Sequence, residues 1–264
     1  MTQLSVSVEH CSALASWLGV ADVALVREDL LPNGGGKKRR GLEKFTQGLR
    51  DINDIHLLSY AGSHTAFSLS QMLPEKKIHL YGIHYGGGAY ENAMTKILDG
   101  QANIIQSVGS TFQMTREFKK EKRQRRSHHH FMKIGGRLGM DPITRAAVGI
   151  VLTELDGDHH HFVAVASGDL LNSIVEQTQN VTGILTQPSA IRLFKLLTLQ
   201  KARGLRRKSL GHRMRLMREI RDLTGYLWDP IFMGAVFSYL KQKDRLPQKL
   251  CIWVTCPSDV SWLE

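Results

Sequence analysis

The sequence contains only three cysteines, Cys11, Cys251 and Cys256, too few and too scattered for a disulfide framework. It has no apolar run approaching the roughly 20 residues that a membrane-spanning helix requires. The opening stretch MTQLSVSVEH lacks the basic-then-apolar order of a secretory signal. No internal repeat or long linker is apparent. These absences argue against a secreted, disulfide-stapled or membrane-spanning protein, and a cytoplasmic location is expected. Cys251 lies in the apolar run LCIWVT and reads as a small buried hydrophobe.

What is present fits a globular protein. Hydrophobic residues make up 42% and charged residues 22% of the chain, proportions that set it apart from disordered sequences. At 264 residues it can bury a core as one large domain or two lobes. The net charge is +11, much of it in REFKKEKRQRR (116–126) and KARGLRRKSLGHRMRLMREIR (201–221). Basic stretches of this kind can neutralise phosphates. Neither has a series of aromatics interleaved to stack on bases, so solvated helix faces are expected, with no specific nucleic-acid or membrane partner. In the second segment Met214, Leu216, Met217 and Ile220 form the apolar face of an amphipathic helix.

Short apolar and β-branched runs predict strands at 23–26, 55–60, 77–84, 103–108, 161–167, 182–186 and 250–255. Helical spacing marks 142–155, with Asp141 as N-cap and Pro142 at the first position. It also marks 91–100, with Gly100 as C-cap. Strands alternating with helices point to parallel sheet, where ligands gather beyond the carboxyl ends of the strands. Four turns stand at such ends: PNGGGKKRRGLE (32–43), AGSHTAFSLS (61–70), ASGDLLNSI (166–174) and VTCPSD (254–259).

In VALVREDLLPNGGGKKRRGLEKF a strand delivers Arg27, Glu28 and Asp29. A glycine-rich loop then leads to a lysine pair ahead of an Arg-x-Leu-Glu helix start. Glycines let the backbone bend tightly against a ligand. A lysine there can present its amine to a carbonyl carbon as a Schiff base. Read alone, the segment serves equally as a basic surface loop.

Taken with the other turns in their order, the chain resembles the fold-type II pyridoxal-phosphate enzymes. It looks most like the group of aminocyclopropane-carboxylate deaminase and D-cysteine desulfhydrase. The resemblance runs from about residue 12 to residue 257. It implies a two-lobed α/β architecture of the tryptophan-synthase-β type with mostly parallel sheets. The larger lobe would comprise 1–47 and 151–264 and the smaller 48–150, with the cofactor in the cleft between them. The implied function is that of a lyase or deaminase acting on a small amino acid, and family members are often homodimers. Alignment on Arg40, Leu42 and Glu43 makes Lys38 the Schiff-base lysine and general base, and a one-residue slide makes it Lys37. Ser63 and His64 would face the cofactor ring or substrate. His64, Thr65, Ser167, Gly168 and Thr255 would contact the cofactor. MKIGGRLGMDPI and GYLWDPIFMGAVFSYL match further family segments.

The departures fall at functional positions. Asp169-Leu170 replaces the Gly-Thr of the phosphate cup, removing a hydroxyl donor and placing a carboxylate beside a dianion. Phe232 and Met233 stand where the family has Tyr and a polar residue, and Cys256-Pro257 stands for Gly-Gly. An alternative follows: a catalytically degenerate relative that acts as a binding or regulatory protein. A basic nucleic-acid-binding module is the third reading. Two histidine runs, 128–130 and 159–161, suggest nickel-column affinity, but adjacent strand residues face opposite sides, so no metal site is expected. The stretch 84–90 reads as a strand-to-helix connection, and Trp228 and Trp262 as packing residues.

Overall fold

The computed structural model describes residues 7–31, 42, 46–84, 89–125, 127–132, 142–155, 157–165, 168–186, 202–204 and 209–255. The chain divides into two compact units, one from 1–40 and 139–261, the other from 41–138. The helix at 142–154 therefore belongs to the first unit.

The first unit is built on a six-stranded sheet. In spatial order it contains β1 (Ser7–His10), β2 (Asp22–Arg27), β10 (Lys249–Val254), β7 (His160–Val165), β8 (Val181–Leu185) and β9 (Ala202–Gly204). All neighbours are parallel except β1, which runs antiparallel to β2. Strand alternation sends Val23, Leu25, Phe162, Ala164, Leu250 and Ile252 to one face. There they meet α1 (Ser12–Leu18), α7 (Leu210–Thr224) and α8 (Met233–Leu240). Ala24, Val26, Val163, Val165, Cys251 and Trp253 go to the other face, against α5 (Pro142–Glu154) and α6 (Asp169–Val175). Covering both faces is what makes these strands read as continuous apolar runs. Cys251 is buried as expected, and burial pushes its thiol pKa well up, which keeps it unreactive. Trp228 is fully buried and lies parallel to Phe237, ring centroids 5.7 Å apart.

The second unit has four parallel strands in the order β5 (Ile104–Gly109), β4 (Lys77–Ile83), β3 (Asp54–Tyr60) and β6 (His129–Met132). Ile55, Leu57, Ile78 and Leu80 pack with α2 (His64–Met72) and with Leu98 of α3 (Ala89–Asp99). On the opposite face Leu58, Tyr81 and Ile83 meet Met114 and Phe118 of α4 (Thr111–Gln124). The basic residues of α4 are its solvated face, as expected, with Met114 and Phe118 turned inward. In α7 Leu216, Met217 and Ile220 are buried and Met214 is half-buried. Gly100 follows α3, but it is not among the positive-φ glycines of the described residues, so it closes the helix without the left-handed turn. Three strands, β1, β6 and β9, have no counterpart in the sequence expectation. No helix of the described residues is long and apolar enough to cross a membrane.

Candidate active site

In the first unit, the parallel strands β2, β10, β7 and β8 end at one edge of the sheet. Beyond β7, Gly168 adopts φ +84° and ψ −6° as the residue preceding α6, and it is buried. Glycine pays no steric cost in this left-handed conformation. The turn therefore delivers the chain directly into a helix whose first N–H groups have no helical partners. Such an N-terminus favours an anion. Thr255 follows the end of β10, the strand beside β7, and only 4% of it is exposed. Gly168 and Thr255 thus occupy neighbouring strand ends of one sheet edge. Lys37, Lys38 and Ser167 lie outside the described residues. Leu170 of the altered cup is buried on the α6 face of the sheet, so its side chain serves the core.

The end of β2 carries a buried ionic group. Arg27 is 1% exposed and makes a two-pronged contact with Asp29, Nε to Oδ1 at 2.9 Å and Nη2 to Oδ2 at 2.8 Å. Its Nη1 donates to Glu9 at 2.6 Å, and the guanidinium lies 4.0 Å from the centroid of Tyr226. Burial alone would lower the Arg27 pKa, but the hydrogen bonds and charge of Asp29, with Tyr226 and Glu9, hold it above its ordinary value. Removing one member of such a group strands a charge, so the motif fixes the β2 turn that precedes the glycine loop.

The family's Asp-Pro segment is also structural here. Asp229 is fully buried, and Oδ1 accepts from Ile231 N at 3.0 Å and Phe232 N at 2.6 Å. It thereby caps the entry to α8. Met233 is buried in the core and Phe232 packs against it, so both departures from the family pattern meet apolar surroundings.

In the second unit, β3 leads through Ala61 and Gly62 into α2. Gly62 has φ +73°, and a Cβ there would lie 2.6 Å from Met94 Cβ of α3. Ser63 is the N-cap of α2: its Oγ donates to Ser59 Oγ at 3.0 Å and accepts from Ala66 N at 3.4 Å. Thr65 is buried, and His64 is half-buried at the first helical position. Ser63, His64 and Thr65 are therefore together at one strand end, with the Ser63 hydroxyl engaged as a cap. Sequence reasoning missed a neighbour of this turn. Glu91, 7% exposed on the first turn of α3, accepts from His84 Nδ1 at 2.7 Å beyond β4. The only sequence signal was a histidine and a glutamate bracketing the glycines of 86–88.

No protein-family model and no curated protein matches the chain. Solved structures do. An ACC deaminase homologue superposes with a TM-score of 0.70 at 19% identity, covering 96% of this chain and 89% of its own. A hydrogen sulfide-producing enzyme from Fusobacterium nucleatum gives 0.67 at 11% identity, covering 97% of both chains. A pyridoxal 5'-phosphate-dependent aspartate racemase gives 0.66 at 11% identity, covering 97% of this chain and 90% of its own. At such identities the likeness establishes architecture: the chain has the α/β, mostly parallel fold of the tryptophan-synthase-β-like, fold-type II structures.

Proposed function

We propose that the chain is a pyridoxal-phosphate-dependent lyase or deaminase acting on a small amino acid, of the D-cysteine desulfhydrase or aminocyclopropane-carboxylate deaminase kind. The observation that carries this reading is the left-handed Gly168 turn opening α6 beside the buried Thr255. A glycine turn, a helix N-terminus and a hydroxyl form a donor set suited to a phosphate dianion, so these residues fit the cofactor, with Asp169 at the head of the same helix as the one like-charged departure. The family resemblance assigns Ser167, next to Gly168 in sequence, to the same role. The solved structures it resembles, among them a deaminase homologue and a hydrogen sulfide-producing enzyme, support the reaction class.

When bound, the cofactor supplies an electron sink for bonds breaking at the substrate's α- or β-carbon. The chain's own residues do the rest. Lys38 is the covalent anchor, and its Nζ takes and returns the substrate proton. Lys37, Arg39 and Arg40 flank it in sequence. Cationic neighbours lower a lysine pKa, which frees the amine to react near neutrality. Gly168 and Thr255 hold the phosphate, and the family resemblance assigns His64 to the cofactor.

Spectral titration of the chain with pyridoxal phosphate tests this reading. A saturable visible band is expected, abolished in Lys38→Ala and retained in Lys37→Ala. Thr255→Val should weaken cofactor affinity by about tenfold, the equivalent of one hydrogen bond to a charged group. A folded chain that shows no saturable band sinks the enzymatic reading. It would instead favour the degenerate binding relative, toward which the apolar surroundings of Phe232 and Met233 point.

A further inference from the structure

The histidine run Asp158-His159-His160-His161 does not converge on one point, as its spacing requires. His160 reaches across to Thr182 Oγ1, 2.8 Å from its Nε2. His161 Nδ1 accepts from Trp253 Nε1 at 3.2 Å inside the sheet packing. His159 does neither. It is 3% exposed, and its Nε2 lies 2.8 Å from Asp22 Oδ2. The same carboxylate meets a second imidazole, with His10 Nδ1 3.0 Å from both Asp22 oxygens.

Strand pairing brings these three together from distant parts of the sequence. Asp22 opens β2, and β1 runs antiparallel beside it with His10 opposite Ala24. On the other side β10 separates β2 from β7, with Lys249 opposite Asp22 and Leu250 opposite His160. His159 thus stands level with Asp22, two strands away, and its ring spans the gap. The cluster sits at the amino-terminal edge of the parallel strands, the opposite edge from Gly168 and Thr255.

We propose that His10, Asp22 and His159 form a binding site for a divalent transition-metal ion of the Zn²⁺ class. One ligand atom from each residue lies within 4.8 Å of the others. The nitrogen-to-oxygen separations of 2.8 and 3.0 Å are close to the edge, about 3.3 Å, of a tetrahedron with Zn–N and Zn–O bonds of 2.0–2.2 Å. Two imidazoles with one carboxylate is a borderline-soft donor set, suited to Zn²⁺, Ni²⁺ or Cu²⁺ more than to Mg²⁺ or Ca²⁺. No lysine or arginine among the described residues is paired with Asp22, and the Lys249 ammonium opposite it in register lies 3.6 Å from Asp158. The site is closed on one side by buried His159 and open on the other, where the His10 side chain is 58% exposed. The open side admits the ion and leaves a fourth position for water, as in three-ligand zinc sites. The histidine cluster of the second unit lacks this convergence, because His56 and His79 stack face to face with centroids 4.4 Å apart.

The test is calorimetric titration of Zn²⁺ into the full chain, free of affinity tag and chelator, at neutral pH. Absorbance of added Co²⁺ provides the coordination signature. One equivalent should bind saturably and give visible Co²⁺ bands. His10→Ala removes an exposed side chain and leaves the core intact, and it should weaken binding by about 100-fold or more, beyond the loss of an outer partner. Asp22→Asn should do the same. Absence of saturable binding would show that Asp22 serves only as a hydrogen-bond acceptor for two histidines. One-equivalent binding that survives His10→Ala or Asp22→Asn would assign the ion to other histidines. Either result overturns the proposal.

Discussion

At the residue scale, the most informative group is His56. It stacks between His79 and Phe131, with centroids at 4.4 and 4.3 Å, while its Nδ1 and Nε2 meet Tyr81 Oη and His129 Nδ1, each at 3.0 Å. Burial, then the charges of His79 and His129, pushes its pKa down to about 4. An unfolded chain takes up this proton below about pH 6.5. The folded chain refuses it until about pH 4. The stabilisation is therefore fully present above pH 6.5 and is lost as the pH falls from there toward 4, at about 1.4 kcal/mol per unit. Thermal melts between pH 7 and pH 4.5 should show this decline, and the His56 ring resonance should titrate near pH 4 by NMR. A midpoint near 6.5 would contradict the burial argument. None of this was legible beforehand, because the alignment of His56 with His79 and Phe131 depends on strand register.

At the scale of elements, the sequence revealed strands where both faces are covered. The run at 250–255 is the clearest, since β10 is the third strand of its sheet and is flanked by β2 and β7. The three strands it concealed are short, and each lies at a sheet edge. β1 reads SVEH with partial exposure, and β6 reads HHFM, whose two histidines break up the apolar signal of a strand. Edge strands carry a weaker apolar signal because one flank is left unpaired. The Asp-Pro segment before α8 was visible as a motif, but its role as a cap became clear only from the hydrogen bonds of Asp229. Asp229→Ala should destabilise the chain by about 2 kcal/mol, the loss of a buried charged cap. Urea unfolding measures this, and a change under 0.5 kcal/mol, the size of an ordinary surface substitution, would deny Asp229 the capping role.

At the scale of the whole molecule, the order of the loops along the chain carried more than any single motif. The Ser63 and Gly168 turns stand at the carboxyl ends of β3 and β7, where an α/β sheet presents its ligands. The His10–Asp22–His159 cluster escaped sequence reading because its members meet only after the strands are laid side by side, whereas the His84–Glu91 pair is local and joins a strand end to the next helix start. The two proposed sites thus lie at opposite edges of the first sheet, the Gly168 turn at one and the His10–Asp22–His159 cluster at the other.

The proposed enzymatic activity rests on a single lysine amine, that of Lys38, which would hold the cofactor. The direct measurement is borohydride reduction of the pyridoxal-phosphate-loaded chain, followed by peptide mass mapping. The account predicts one phosphopyridoxyl adduct, on Lys38, with Lys37 unmodified. An adduct scattered over surface lysines, or none at all, would contradict it.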